Sequence, residues 1–493
     1  MTKFRRVLLL VGVALLVYIL VLLYIIRLRP DAFNNMDATK LGARVHAERG
    51  KVTIVMRNFD PHENSIVKTF QKILGSILDA RGLILSDHGT HPPITLPKSL
   101  QHLVTIAVLD AGQPHHESDA ARFIETEYVV VVGDGTRLVS PDMVEKSIRH
   151  LVAGPHDIVV VPTEEGTDED EESCEVLRLS PREWSMTLSL PRLSAAECNY
   201  FLGVPVVVTT KAAILRLTWP FARPFPHSLF VEAAMLNMSI HLCDDVLLLR
   251  KNPLVSGTQQ QRKELAAFHR LAGIKKVTHA NHSVDWYGCD RNTASCFAAT
   301  VGDAAPGFLQ QGRWAPPCCL RAITITAKHV LAMLAQHRVR HWLDNGALLG
   351  AARAGTLIPW DYDADLGINA DDVAKLPLLV SCREGAVVDA DGYVWESGDT
   401  AGNTIRVRYS ETNRLHVEIY LYDVVEGGMA RRRAAAVRAA DREFPARFLE
   451  PIGQVVFGGV DVCAPNRVRE FLERKYGAGV IERPVYPNAS MVK

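Results

Sequence analysis

Residues Trp342–Ile368 read WLDNGALLGAARAGTLIPWDYDADLGI. Asn345-Gly346-Ala347 opens a helix in this reading, where Gly346 permits close backbone approach and the free N–H groups of the first turn can receive a phosphate. Arg353, two turns further on, adds a permanent positive charge. Asp361, Asp363 and Asp365 then alternate, and a period of two places all three on one face of a strand. With Asp371 and Asp372, five carboxylates lie within twelve residues, and no Lys or Arg interrupts them. Like charges this close repel and raise one another's pKa, so a cation among them is expected. Ligation by Asp oxygens alone suits Mg2+ or Mn2+. A solvated acidic turn fits less well, because the alternation runs directly into Leu366-Gly367-Ile368, as in a half-buried strand.

A further acid is expected from a neighbouring strand, and Leu415–Tyr420 (LHVEIY) supplies Glu418, with His416 on the same face. Arg408 and Arg414 precede it as candidate phosphate contacts, together with Arg353 and the Gly346 backbone. A Gly-containing turn and helix, a D-x-D strand and a lone acid on another strand resemble the nucleotidyltransferase superfamily. There, acids hold metal at a phosphoryl centre and act by electrostatic positioning.

The rest of the 493 residues sets the context. At roughly 150 residues per domain the chain has room for two or three domains. Its 55 basic and 55 acidic residues exclude a polybasic nucleic-acid binder. Val7–Ile26 is an uncharged apolar run of twenty residues, long enough as a helix to cross a bilayer. It exceeds a signal-peptide core and lacks a small-x-small cleavage site. The expectation is a cytosolic tail over 1–6, an uncleaved type II signal anchor over 7–26, a stem over 27–51, and a lumenal body. Sequons at Asn237, Asn281 and Asn488 suit such a body.

Strand-like runs at Val52–Met56, Leu103–Leu109, Tyr128–Val132 and Ile158–Val161, with a helix near 66–78, predict an α/β first domain over 52–284. It resembles a GT-A glycosyltransferase fold, but Gly133-Asp134-Gly135 offers one carboxylate where a D-x-D is needed, so the domain reads as non-catalytic. His115-His116-Glu117 and the acidic run around 164–172 read as solvated loops.

Cys289, Cys296, Cys318 and Cys319 crowd into 31 residues. Two disulfides, favoured by an oxidising lumen, and a tetrahedral all-cysteine zinc site are both compatible with the spacing. Cys174, Cys198, Cys243, Cys382 and Cys463 are scattered and read as buried thiols.

DWYGCDRNTASCF (285–297), RWAPPCCLRA (313–322), LLGAARAGTLIPWDYDADLGI (348–368), NRLHVEIY (413–420) and VIERPVYPN (480–488) resemble the fukutin-related protein family, within the wider LicD-like phosphotransferases. The likeness is dense from 285 to 488. It implies a catalytic domain over 285–493 with a structural Zn2+ on the four clustered cysteines of the 289–319 loop. It also implies a single-pass Golgi membrane enzyme that moves ribitol 5-phosphate from CDP-ribitol to the O-mannosyl glycan of α-dystroglycan. Asp361, Asp363, Asp365 and Glu418 would be the catalytic acids, and Asp363, Asp365 and Glu418 would hold Mg2+. Fukutin-type transferases are the implied partners, and homo-oligomerisation stays open. The chain departs from the family at Glu418, where Asp is usual, and at Ala347 and Ala354, where Ser and His are usual. Two alternatives therefore stand beside this reading: a LicD-like transferase of glycerol phosphate or phosphocholine, and a non-catalytic Golgi scaffold.

Overall fold

The computed structural model describes residues 52–486, apart from 61, 78, 88–92, 110–119, 138–141, 166–173, 193, 195–196, 244–247, 251–257, 296–305 and 433–441. The anchor, tail and stem, the His115-His116-Glu117 trio, the acidic run 166–172, Cys296 and Asn488 lie outside these residues. The chain divides into two compact units: Met1–Cys174 with Pro191–Gly257, and Glu175–Leu190 with Thr258–Lys493.

The first unit is built on a seven-stranded sheet. Its strands are β1 (Val52–Asn58), β2 (Arg81–Asp87), β3 (Val104–Leu109), β4 (Tyr128–Gly133), β5 (Ile158–Val161), β6 (Val206–Thr210) and β7 (Ile240–Leu242), in the spatial order β3-β2-β1-β4-β6-β5-β7. All pair in parallel except β6, which runs antiparallel to both β4 and β5. Every residue of β1 and β4 is buried, as expected for central strands covered on both faces. Helix α1 (Ile66–Ser76) buries Ile66, Phe70, Ile73 and Leu74 at helical spacing. Helix α2 (Asp142–Ala153) follows the same pattern through Met143, Val144, Ile148 and Leu151. The mixed α/β architecture is therefore as the strand-like and helical runs predict, with β2, β6 and β7 as additional strands.

Asp134, just past β4, is buried and spends its carboxylate on the start of α1. It accepts from the Ser65 N–H (2.5 Å) and the Thr69 hydroxyl (3.0 Å). One reading is corrected here: Cys174 and Cys198, taken as separate thiols, form a disulfide across 24 residues. Spacing alone could not pair them. Asn237 and Asn281 are both exposed.

In the second unit, Ser185–Ser189 pairs in parallel with Lys276–Thr278. Beyond it, α3 (Pro317–Gln336) leads into β8 (His341–Leu343), α4 (Asn345–Ala354) and β9 (Ala364–Asn369). These are followed by β10 (Val387–Val388), β11 (Val394–Ser397), β12 (Thr404–Arg408), β13 (His416–Val425), β14 (Gly428–Arg431), β15 (Glu443–Pro445) and α5 (Val468–Tyr476). The sheet order is β8-β9-β13-β12-β11-β10, with β14 also on β13 and β15 on β14. Only β9 and β13 pair in parallel. Twenty residues long and apolar, α3 passes a length test for crossing a bilayer. It instead buries Ala322, Ile323, Ala327, Val330 and Leu334 in the core that also holds Val417, Ile419 and Leu421 of β13. Alternation then leaves His416, Glu418, Tyr420 and Tyr422 on the opposite face of β13.

Candidate active site

The site forms where β9 and β13 run side by side. Their register sets Asp365 directly against Glu418. Carboxylate oxygens of Asp363, Asp365 and Glu418 all lie within 4.8 Å of one another. Only Asp365 is inside the strand, however, because β9 begins at Ala364. The expected three-Asp strand is thus corrected to a turn carrying Asp361 and Asp363 that delivers them to the strand end.

Tyr420 bridges the two strands, its hydroxyl lying 3.0 Å from Asp365 Oδ1 and 2.7 Å from Glu418 Oε2. Arg406, opposite Glu418 on β12, donates to Glu418 Oε1 at 2.6 Å. His416 Nε2 is 3.7 Å from that oxygen, while its Nδ1 meets the Arg414 carbonyl at 3.1 Å. Burial raises the Glu418 carboxyl, but the hydrogen bonds of His416, Arg406 and Tyr420 outweigh it and hold the group at about 2. The aspartates go the other way. Burial and then the charge of Asp365 push Asp361 up to about 8, and burial followed by Glu418 and Asp344 pushes Asp365 up to about 7. Asp363 is driven well above the usual carboxylate range by burial and then by Asp365, Asp361 and Glu418. Glu418 is thus held ionised by its own partners, whereas the three aspartates are under-compensated by protein cations alone.

Asp361 Oδ2 is buried without a hydrogen-bond partner. It packs so closely on the first turn of α4 that a Cβ on Gly346 would overlap it. That turn is pinned from below. Asp344 caps α4 through the Asn345 N–H at 2.8 Å and takes the Tyr422 hydroxyl at 2.8 Å. The Lys475 ammonium, from α5, meets Asp344 Oδ1 and lies 2.8 Å from Asn345 Oδ1. Burial raises Asp344, but the lysine charge and these hydrogen bonds bring it below its ordinary value.

Other expected site residues are not gathered here. Arg353 sits in the last turn of α4, about 12 Å along the axis from Asn345 at ~1.5 Å per residue, and its guanidinium takes the Ile481 carbonyl at 3.2 Å. Arg414 is exposed, and Arg408 pairs with Glu396 at 3.1 Å. Asp372 leaves the proposed five-acid cluster altogether. Hydrogen bonds from Arg340 and Lys375 hold it far below the usual carboxylate range. Sequence reasoning missed Arg406, Tyr420 and Lys475. The first two carried a signal, since alternation puts Tyr420 on the Glu418 face and Arg406 two residues before Arg408. Lys475 carried none.

The residues fit a hard divalent cation: the donor set is all oxygen, it converges from two paired strands and the turn before one of them, and a buried carboxylate oxygen of Asp361 is orphaned. In the cysteine loop, Cys289, Cys318 and Cys319 converge with sulfurs within 4.8 Å of one another. Cys289 and Cys318 are disulfide-bonded, with Cys319 Sγ 3.0 Å from Cys289 Sγ. Only with that bond reduced would the three buried thiols suit a soft metal.

Residues 39–280 match the fukutin-related protein stem domain, and residues 338–467 match the LicD/FKTN/FKRP nucleotidyltransferase domain. The human protein named ribitol 5-phosphate transferase FKRP is 33% identical over 486 residues, covering 97% of this chain and 96% of its own. The mouse protein of that name is 33% identical, covering 97% of each chain. Likeness to solved structures is faint and carries no argument. Residues 1–349 of TarS from S. aureus give a TM-score of 0.30 at 11% identity, over 45% of this chain and 64% of that one. The mannosyltransferase PcManGT from Pyrobaculum calidifontis gives 0.28 at 13%, over the same 45% and 64%. Identity of 33% along nearly the whole length decides the matter, and the chain belongs to the fukutin-related protein family.

Proposed function

We propose that this chain transfers ribitol 5-phosphate from CDP-ribitol to a hydroxyl of the O-mannosyl glycan of α-dystroglycan, releasing CMP. The observation that carries the reading is the convergence of Asp363, Asp365 and Glu418 from a strand-end turn and two paired strands. These three would hold Mg2+ or Mn2+, which when bound supplies charge neutralisation at a diphosphate. Glu418, kept ionised by Arg406, Tyr420 and His416, serves as a ligand and not as a base. Asp361, whose buried Oδ2 has no hydrogen-bond partner, is the base. The acceptor hydroxyl oxygen attacks the ribitol phosphorus and its proton passes to Asp361. The bond from phosphorus to the CMP oxygen breaks, and CMP departs with the electron pair.

The first unit is a non-catalytic, GT-A-like stem module. Its one D-x-D-like aspartate, Asp134, is already committed to α1. With the Cys289–Cys318 bond reduced, the thiolates of the Cys289 loop would hold structural zinc, for which the three converging sulfurs are the support. The enzyme sits in the Golgi membrane as a single-pass type II protein anchored by 7–26, alongside fukutin-type transferases. The apolar run and the Cys174–Cys198 bridge favour an oxidising lumen.

The test is CMP release from CDP-ribitol, CDP-glycerol and CDP-choline, with Mn2+ binding measured on the same samples and zinc on the purified protein. Asp363→Asn is expected to lose both Mn2+ binding and turnover. Asp361→Asn is expected to keep Mn2+ and lose turnover by roughly 100-fold or more. Turnover at wild-type level in folded Asp363→Asn sinks the assignment. Preference for CDP-glycerol or CDP-choline moves the chain to another phospho-alcohol.

A further inference from the structure

Arg431 ends β14 opposite Tyr422 of β13, on the sheet face that carries Glu418 and Tyr420. Its guanidinium carbon stands 3.5 Å from the centre of the Tyr420 ring. The hydroxyl of that ring bonds Asp365 and Glu418. A single aromatic ring therefore separates a permanent cation from the acid cluster.

Among the described residues, four other cations of this unit are engaged by acids. Arg406 is held by Glu418, Arg408 by Glu396, Arg432 by Asp423 and Lys475 by Asp344. Arg431 is half-buried and, among the described residues, has no carboxylate within ion-pairing distance. Stacking on Tyr420 satisfies the face of the guanidinium but leaves its edge, a planar fork of N–H donors, without an anion. Such an edge matches phosphate oxygens in bidentate fashion, and the stacked ring fixes its direction before any ligand arrives.

The geometry points to Arg431 as the residue that binds the diphosphate of the nucleotide donor. Its fork holds diphosphate oxygens and offsets the charge that gathers on the departing nucleotide. This rests on the transferase reading above and adds to it a phosphate-binding cation outside the two acid-bearing strands.

The experiment titrates CDP in the presence of Mn2+ by calorimetry, and Mn2+ alone by electron paramagnetic resonance, on full-length chain in detergent. Wild type, Arg431→Gln and Arg431→Lys are compared. Arg431→Gln is expected to weaken CDP roughly 10- to 100-fold, the range for losing hydrogen bonds to a charged group, with Mn2+ binding unchanged. Arg431→Lys regains part of the loss, since an ammonium restores charge without the fork. CDP affinity undiminished in Arg431→Gln overturns the assignment. So does equal loss of Mn2+ binding, which would make Arg431 a mere support for Tyr420. Wild-type chain that takes Mn2+ but no CDP overturns the transferase reading and this inference together, and is told apart from the other results by the wild-type trace.

Discussion

Gly346 lets the first turn of α4 close onto Asp361, because any side chain there would meet Asp361 Oδ2. The obstructing atom is the far end of a side chain, so Gly346→Ala should fold normally while displacing the carboxylate. A shift of this kind near reacting groups costs on the order of 10- to 100-fold in turnover. The expected outcome is an unchanged melting temperature with CMP release lowered by that factor, and full activity in Gly346→Ala would show that Asp361 needs no fixed position. Local pattern made much of this site readable: HVEIY alone puts His416, Glu418 and Tyr420 on one face. It could not show that Arg408 turns to Glu396 while Arg406 takes Glu418. Both arginines share that face, and the difference lies in which acid the next strand presents.

Helices α4 and α5 are joined by the ion pair of Asp344 and Lys475, both almost fully buried. Removing one member of such a pair leaves an uncompensated charge and typically costs about 3–5 kcal/mol. Lys475→Met should therefore destabilise the second unit by that order in urea unfolding. Asp344→Asn should also destabilise it, and the double variant should lose much less than the sum. Simple additivity would mean that the two groups are not coupled. At this scale, composition could not separate a twenty-residue apolar core helix such as α3 from a membrane span. What distinguishes it is burial against the sheet.

Across the whole molecule, two compact units mean that stability is two quantities. In the first unit, burial outweighs the amide hydrogen bonds from Trp219 and Thr218 and pushes Glu232 up to about 7 from its ordinary 4.5. Between these values the folded state holds a proton that the unfolded chain has released. Stability of this unit should therefore fall as pH rises through that window, by on the order of 3 kcal/mol. Glu232→Gln keeps an acceptor for both amides and removes the titration. Its unfolding free energy should be flat where the wild type slopes, and parallel slopes would remove Glu232 as the cause. The neutral total of 55 basic and 55 acidic residues gives no hint of this group, because its shift comes from desolvation.

Period-two alternation, a helix signal and the run of aspartates predict an α/β chain with acids on one face of two strands, and Asp363, Asp365 and Glu418 do converge. Those signals are local: side-chain direction along a strand or helix follows from backbone geometry within a few residues. Charge compensation is not local. Arg340 withdraws Asp372 from the acid cluster, Lys475 neutralises Asp344, Arg431 stacks over Tyr420 and Cys174 finds Cys198. Each depends on which distant segments the sheet order and helix packing bring together, and no spacing along the chain encodes that.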